Sequence, residues 1–292
     1  MIADVHSLAT ETRSPVSAVC RALDLPRSTV YARRDRPPCQ RAKDNEALDV
    51  EIAAIHAESK RRYGSPRIHR ALRRRGRKVS RKRVEARMRH QKLWGRRPRR
   101  FRRTTVANER HAPVPNVLDR RFRWPEPNQA WVGDITYLWT REGWVYLAIL
   151  VDLCTRVIVG WATSRHCDSA LALTCLDVAV SRHSPGKGMI LHHDRGCTYT
   201  AEEYQDAITR LGGIPSMSRK GNCWDNAVAE STFATIKIEL FMDFIPDGKE
   251  HVDRELLNYI EIFYNRIRLH SSLGYITPAE KEMLALRESL AA

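Results

Sequence analysis

Three carboxylate residues, Asp134, Asp194 and Glu230, have the type and spacing needed to hold divalent metal ions. Asp134 interrupts the apolar run Trp-Val-Gly-Asp-Ile-Thr-Tyr-Leu, where an uncompensated charge is costly. Mg²⁺ and Mn²⁺ prefer carboxylate oxygens as ligands. Two such ions about 4 Å apart can activate an attacking hydroxyl and stabilise the leaving oxygen at phosphorus. The three acids therefore predict metal-dependent phosphoryl transfer.

Three acids that converge without cations repel one another, which raises at least one pKa and leaves the site loosely arranged. Each acid also has a structural alternative. A single aspartate at the end of a strand, such as Asp194, is often a turn or cap residue. Asp152 ends the second predicted strand and competes with Asp134, but we interpret it as a turn or structural acid.

The segments that carry these acids alternate between strands and helices. Trp131–Trp139, Trp144–Asp152 and Arg156–Thr163 are rich in Val, Ile, Tyr and Trp and are separated by short turns, which is typical of antiparallel strands. The predicted elements that follow are a helix at 168–182, a strand at 189–192 before Asp194, a helix at 201–211, a strand at 214–216, a helix at 225–242 that carries Glu230, and a helix at 250–267. This order predicts an α/β fold, a mixed five-stranded sheet with helices on both faces.

Positive charge is concentrated in one segment. The net charge is +16, yet residues 61–110 hold 22 of the 50 Lys and Arg residues and 2 of the 34 acidic residues, so the remainder of the chain is slightly acidic. Apolar residues interrupt the arginines at helical spacing, at Ile68, Leu72, Val79, Val84, Met88 and Leu93. Folded helices with a basic face suit the phosphates of nucleic acid.

Small helical units precede the sheet. Ser14 and Ser28 are predicted to cap two short helices around the break at residues 24–26, a helix-turn-helix pattern. Helices are also expected at about 45–59, 66–75 and 80–91, the last capped by Ser80. The predicted units are a helix-turn-helix-like unit at 1–38, an arginine-rich DNA-binding unit at 44–94, a basic linker at 95–128, a catalytic core with a C-terminal helix at 129–284, and a tail at 285–292.

Composition excludes several classes of protein. No run approaches the roughly 20 apolar residues of a membrane helix, and residues 1–15 lack the pattern of a secretory signal. The seven cysteines form no Cys-x-x-Cys pair, so neither a zinc knuckle nor a disulfide framework is indicated. We expect a cytoplasmic, nucleoid-associated protein without a membrane partner.

The region from Trp131 to Glu282 resembles the RNase H-like catalytic core of retroviral integrases and insertion-sequence transposases. Asp194 and Glu230 are separated by 35 residues, as in the Asp-Asp-35-Glu signature of that superfamily, and Lys237 follows two helical turns later. The words W-V-G-D-I-T-Y, H-H-D-R-G, G-N-C-W-D-N-A-V-A-E-S-T-F-A-T-I-K and Y-N-R-I-R-L-H-S-S-L-G-Y-I-T-P-A-E closely resemble the second-frame (OrfB) product of two-frame insertion sequences. The zinc-binding amino-terminal module of retroviral integrases has no counterpart.

The resemblance implies a transposase that cleaves 3′ ends and transfers strands. Asp134, Asp194 and Glu230 would bind Mg²⁺ or Mn²⁺, with two ions expected. Lys237 would contact DNA, although an exposed lysine without a role is the alternative. The implied partners are double-stranded DNA with the terminal inverted repeats and target, further copies of the chain on DNA, and a first-frame transposase subunit. A structure-specific nuclease of the same fold and a non-catalytic DNA-binding remnant are the rival functions.

The remaining candidates are basic or accessory residues. The predicted DNA contacts in the basic segment are Arg74, Arg75, Arg81, Lys82, Arg83, Arg96 and Arg97. His193 and Asn226 are accessory candidates at the acid site. Asn226, with Trp224 and Asp225, is expected to cap and position the Glu230 helix. Arg266, Arg268 and His270 could contact DNA or pack against the core.

Overall fold

A computed structural model describes residues 5–35, 37, 39–96, 114–219 and 222–291. The first half of the described chain is helical. Its helices are α1 (Val5–Glu11), α2 (Val16–Ala22), α3 (Arg27–Asp35), α4 (Gln40–Glu58), α5 (Ser65–Arg74) and α6 (Arg81–His90). Among the helices that the structure describes, none is long and apolar enough to cross a bilayer.

The two serine caps predicted near the amino terminus are wrong. Helix α2 begins at Val16, directly after Pro15, while the Ser14 hydroxyl donates to the Thr12 carbonyl. Helix α3 begins one residue before Ser28, so that serine lies inside the first turn. The helices are held by a small core of their own, formed by Val5, Ala9, Val19, Cys20 and Val30.

Helices α4, α5 and α6 form the arginine-rich helical unit. Ser80 caps α6 as predicted, since its hydroxyl accepts a hydrogen bond from the Arg83 amide at 3.3 Å. The apolar residues between the arginines are buried where their spacing indicated, at Ile68, Leu72, Val84 and Met88, and they pack with Leu48, Ile52 and Ile55 of α4. The arginines therefore lie on folded helices.

A mixed five-stranded sheet with the order β3-β2-β1-β4-β5 confirms the predicted fold class. Its strands are β1 (Ala130–Thr140), β2 (Gly143–Asp152), β3 (Ile158–Ser164), β4 (Ile190–His193) and β5 (Ile214–Met217). Strands β1, β2 and β3 are antiparallel, whereas β4 runs parallel to β1 and β5 parallel to β4. Alternation along the strands sends side chains to two faces, each covered by helices.

Six helices of the described chain follow the first three strands. They are α7 (Ser169–His183), α8 (Cys197–Thr200), α9 (Glu202–Arg210), α10 (Ala227–Glu239), α11 (Lys249–Leu257) and α12 (Pro278–Ala291). Helices α7 and α9 pack on one face, and α10 and α11 pack on the other, where the core is continuous with that of α4–α6. The long helix predicted at 225–242 is shorter, because a 3₁₀ turn occupies Cys223–Asn226, and α11 continues as a π-helix over Asn258–Tyr264.

Two predicted surface segments belong to the folded structure. Residues 114–128, the described part of the predicted linker, lie against the core, where Leu118 is fully buried and its amide donates to the Ser216 hydroxyl. The predicted tail is helical, because α12 runs to Ala291. Polar composition predicted a linker and a tail, but buried apolar residues, Leu118 in the first and Ala285 in the second, hold both segments against the folded structure.

The buried carboxylate of Glu239, at the last residue of α10, connects the helical unit to the core. Arg268 donates to it at 2.9–3.1 Å, Tyr259 at 2.9 Å, and Arg67 of α5 at 3.3 Å. The backbone carbonyl of Glu239 accepts from Arg62 at 3.0 Å. Burial alone would raise the pKa of Glu239, but the arginines reverse this and hold that pKa below its usual value.

Removing this carboxylate should be strongly destabilising. We expect Glu239→Ala to lower the free energy of unfolding by about 3–5 kcal/mol, since it leaves the buried Arg268 guanidinium unpaired. Glu85→Ala, which breaks the exposed pair with Arg89, should cost less than about 1 kcal/mol. Urea denaturation of both variants measures the difference. Equal losses would show that Glu239 does not hold the two regions together.

Candidate active site

The sheet brings Asp134 and Asp194 to the same edge. Strands β1 and β4 are parallel and Val132 pairs with His192, so the two aspartates lie two residues beyond the same pairing position. Asp134 lies inside β1, and Asp194 directly follows β4. Both carboxyl groups are half-buried, and each accepts a nearby backbone N–H, from Ile135 at 2.8 Å and Gly196 at 2.9 Å.

Glu230 reaches this edge from the first turn of α10. Ala229, Phe233 and Ile236 of α10 are buried against the sheet, which leaves the Glu230 side chain exposed. The Asn226 side-chain amide donates to the Gly133 carbonyl at 3.1 Å and ties the start of α10 to the residue before Asp134. Asn226 therefore positions this helix, but not as the predicted cap, since its side chain makes no capping hydrogen bond.

The three acids act on one another electrostatically. Burial raises the pKa of Asp134 well above its usual value, and the charges of Asp194 and Glu230 raise it further. The Ile135 N–H and the Lys237 ammonium oppose this shift. Burial also raises the pKa of Asp194, against the Gly196 N–H. The carboxylates are thus close enough to repel one another.

The acids do not close around a single point. Within the residues described, no three His, Cys, Asp and Glu side chains lie together closely enough to hold a metal ion. The donor set is nevertheless suited to Mg²⁺ or Mn²⁺, because it consists of carboxylate oxygens whose repulsion a divalent cation would relieve.

Lys237 lies deeper than an exposed helix lysine. Its ammonium donates to the Thr136 hydroxyl at 2.7 Å and lies 4.9 Å from the centre of the Tyr137 ring. Burial lowers the pKa of Lys237, while Asp134 raises it. The lysine therefore adds positive charge beside the first acid.

His193 is a buried packing residue beside the acids. Its ring stacks on Tyr199 with centroids 4.0 Å apart, and its Nε2 lies 2.9 Å from the Tyr204 hydroxyl oxygen. A side chain at Gly133 would collide with this ring, since an added Cβ would come within 2.5 Å of it. Burial lowers the pKa of His193 to about 3, with His192 contributing, so the ring is neutral at pH 7. Nδ1 of His193 and Oδ1 of Asn226 are buried without hydrogen-bond partners in the described structure.

Two other acids near the site are structural. Asp152 accepts hydrogen bonds from the Asn128 and Thr155 amides and from the Thr155 hydroxyl, which fits its interpretation as a turn residue. Asp225 is fully buried, and hydrogen bonds from Arg219 lower its pKa, with Arg120 contributing. Asp225 fixes the loop before α10. The sequence predicted a positioning role for Asp225, but the contacts that provide it, with Arg219 and Arg120, come from the structure.

Four of the predicted DNA contacts have partners within the protein, and for Arg74 and Arg75 these are exposed ion pairs. The contacts are Arg74 with Glu280, Arg75 with Glu58, Arg83 with the Asn45 side chain, and Arg96 with the Glu239 backbone and the Asp243 carboxylate. Arg81 and Lys82 are exposed at the start of α6, and Arg97 lies outside the described residues. In the final motif, Arg268 is buried on Glu239, and His270 Nδ1 is 2.9 Å from the Ser272 hydroxyl. Of the two alternatives for these residues, DNA contact or packing against the core, both contacts favour packing.

Comparisons with known proteins cover both regions. The Integrase core domain family matches residues 125–223 and, through a second model of that description, 212–278, while an HTH-like domain matches 43–101. The transposase InsF for insertion sequence IS3A of Escherichia coli is 38% identical over 91% of this chain and 93% of its own length. The 31 kDa protein of insertion element IS600 of Shigella sonnei is 37% identical over 89% and 96%. A simian T-cell lymphotropic virus intasome chain aligns at 16% identity over 79% of this chain and 74% of that chain, with a TM-score of 0.47.

The raised pKa of Asp134 predicts that its charge destabilises the metal-free protein. When the pKa of an aspartate is higher in the folded state than in the unfolded state, the protein loses stability as pH rises above the unfolded-state pKa, which is near 4. We expect Asp134→Asn to raise the melting temperature at pH 7.5 in EDTA by a few degrees, the shift that about 1 kcal/mol produces. The gain should shrink as pH falls toward 4 and disappear below about pH 3, where the carboxyl is protonated in both states.

Excess Mg²⁺ should stabilise the unsubstituted protein more than Asp134→Asn, because the cation removes the same repulsion. Asp177→Asn, which changes an exposed acid on α7, is the matched control and should alter neither profile. A variant Asp134→Asn that melts below the unsubstituted protein at pH 7.5 and at pH 4 alike would contradict the electrostatic account.

Proposed function

Because the chain belongs to the insertion-sequence transposases that carry an integrase core domain, we propose that it cleaves the 3′ ends of its element and joins them to target DNA with divalent metal ions. The observation that carries this proposal is geometric: Asp134 and Asp194 lie two residues beyond the same pairing position of β1 and β4, and the start of α10, which carries Glu230, is tied to Gly133 by Asn226. These acids come from three separate elements, and bringing them together would not stabilise the fold unless a cation bound them.

In this proposal, the oxygens of Asp134, Asp194 and Glu230 hold two Mg²⁺ or Mn²⁺ ions. When bound, the ions would lower the pKa of the attacking water or 3′-hydroxyl and stabilise the leaving oxygen. Lys237 would contact the DNA phosphate close to the reacting bond, since its ammonium is already held beside Asp134 by Thr136. Asn226, through Gly133, would keep Glu230 in place relative to Asp134.

DNA binding is proposed to come mainly from the helical regions. The HTH-like match covers α4–α6, where exposed arginines and lysines supply the charge that phosphates attract. Joining two element ends to one target requires at least two active sites, so we expect the chain to act as an oligomer on DNA. A first-frame subunit is a further expected partner, and the bacterial cytoplasm, at the nucleoid, is the expected location.

A strand-transfer assay tests the reaction. Element-end DNA with a labelled 3′ strand, target plasmid and Mn²⁺ should yield joined products with the unsubstituted protein. Asp134→Asn, Asp194→Asn and Glu230→Gln should each reduce joining by at least about a hundredfold, more than the loss of an outer-shell partner produces. Asp177→Asn, an exposed acid outside the site, should retain full activity.

The other outcomes identify the rival functions. Cleaved products without joined species would indicate a structure-specific nuclease. DNA binding without cleavage or joining would indicate a non-catalytic remnant. If the Asp194→Asn variant folds, as judged by its melting curve, and still joins DNA at the full rate, the proposed active site is wrong.

The helical unit offers a narrower DNA surface than its charge suggested. Arg81 and Lys82 are exposed at the beginning of α6, the second helix of the α5–α6 pair, and the beginning of such a helix commonly meets the major groove. Arg83, the next residue, is directed to Asn45 of α4. We therefore propose Arg81 and Lys82 as the DNA contacts of this helix.

Salt dependence of DNA binding separates these residues. The double variant Arg81→Ala, Lys82→Ala should weaken binding and reduce the slope of log affinity against log salt by about two, because two phosphates are no longer neutralised. Arg83→Ala is the matched control and should leave the slope unchanged, because its guanidinium is bound to Asn45. Titrations of labelled duplex between low and moderate salt measure both slopes, and equal slopes for all three proteins would refute the assignment.

A further inference from the structure

We propose that Tyr137, Trp139 and Trp144, here called the aromatic ladder, form a stacking site for unpaired DNA bases beside the three acids. The ladder lies at the tip of the β1–β2 hairpin. The identity of the ligand rests on the proposed function, because DNA must be present at the acids for its bases to reach the hairpin.

The ladder is a continuous set of exposed rings. Trp139 and Trp144 are paired across the two strands, and their ring centroids lie 4.7 Å apart at 70°. Trp144 also meets Tyr137 edge to face, with centroids 5.1 Å apart at 88°. The exposed fractions are 40% for Tyr137, 52% for Trp139 and 48% for Trp144. Three adjoining aromatic side chains that stay about half exposed mark a binding surface rather than core packing.

The hairpin that carries the ladder is held rigidly. Its two turn residues, Arg141 and Glu142, donate their backbone N–H groups to the carbonyls of Pro246 and Asp247 at 2.9 and 3.0 Å. The Thr140 hydroxyl also donates across the turn to the Gly143 carbonyl at 2.7 Å. The rings are therefore placed before any ligand arrives, which lowers the entropy lost on binding.

Lys237 connects the ladder to the acids. Its ammonium touches Thr136 and lies over the Tyr137 ring, while its charge acts on Asp134. Tyr137 is three residues beyond Asp134 on β1, about 10 Å along the strand, and the two side chains leave opposite faces of that strand. Strand β4 pairs with β1 only at residues 130–132, so within the described sheet this part of β1 forms an edge that a nucleic acid can approach.

The chemistry of the end of a duplex favours a base as the ligand. Drawing one strand toward the acids separates it from its partner, and each base that loses its partner also loses stacking, at a cost of a few kcal/mol. Aromatic side chains replace the lost stacking, without regard to sequence. A cation held at one ring suits a nucleotide better than an apolar peptide, because every base is attached to a phosphate.

Binding of two labelled probes tests the proposal without catalysis. One probe is a blunt 20-base-pair duplex, and the other has the same duplex with four unpaired thymines at one end. In EDTA, where cleavage cannot proceed, we expect the unsubstituted protein to bind the forked probe at least about fivefold more tightly, the ratio that 1 kcal/mol of stacking produces.

Substitutions in the ladder separate stacking from general apolar contact. The double variant Trp139→Leu, Trp144→Leu should bind both probes equally, whereas Trp139→Phe, Trp144→Phe should keep most of the preference for the forked probe. Trp94→Leu changes a tryptophan of the helical region that is 59% exposed, and it should leave the preference for the forked probe unchanged. Melting curves establish that each variant folds. If the leucine variant does not fold, quenching of 2-aminopurine at the first unpaired position by the unsubstituted protein decides the matter.

Other outcomes have definite meanings. An unchanged preference in the leucine variant, or no quenching, overturns the proposal. A leucine variant that changes the oligomeric state in light scattering, but not the preference between probes, would assign the ladder to contact between copies of the chain and likewise overturns it. Asp134→Asn should retain the preference, so a failure of the ladder and a failure of the proposed metal chemistry are distinguishable.

Discussion

The buried carboxylate of Glu239, at the end of α10, binds groups from two other parts of the chain. Arg67 comes from the helical unit, and Tyr259 and Arg268 come from the region after α10. A buried carboxylate is strongly unfavourable until these partners are in place, so the network couples the helical unit, α10 and the carboxyl-terminal region. Because Glu230 lies nine residues earlier on α10, about 14 Å along the helix axis, the same contacts fix the basic helices relative to the acids.

The two ends of α10 present opposite electrostatic situations. At Glu239 the protein supplies its own cations, and the pKa of the carboxyl falls below its usual value. The other end of α10 carries Glu230 and faces Asp134 of β1. Burial and the charges of Asp194 and Glu230 raise the pKa of Asp134, and Lys237 opposes this only in part. A carboxylate network that is satisfied internally needs no ligand, whereas one left repulsive gains stability from bound divalent cations. This contrast gives the acid site a physical reason to bind metal.

Much of the fold and of the acid site could be predicted from local sequence. The Val, Ile, Tyr and Trp content of Trp131–Trp139 indicated β1, and the acid inside that strand indicated where chemistry would lie. The resemblance to integrase-type cores and the spacing of Asp194, Glu230 and Lys237 then ordered the remaining parts. These features can be predicted because they depend on residues close together in the chain or on short, specific sequence motifs.

Pairing between distant residues was not predictable. Arg74 and Arg96 looked like DNA ligands because each lies in a basic run, yet their partners, Glu280 and the Glu239 backbone, are more than 140 residues away in the sequence. The aromatic ladder likewise appears only when the hairpin register sets Trp139 opposite Trp144. An arginine on a helix carries no local sign of whether phosphate or a distant carboxylate will bind it.

The most direct test of the account is anomalous X-ray diffraction from crystals soaked in Mn²⁺. We predict manganese peaks coordinated by the carboxylates of Asp134 and Asp194, with Glu230 completing the ligands of a second ion when DNA is bound, and with no peak in Asp194→Asn crystals. Manganese bound at Asp152 or Asp225 instead, or peaks that persist in Asp194→Asn, would contradict the assignment of the three acids as the metal site.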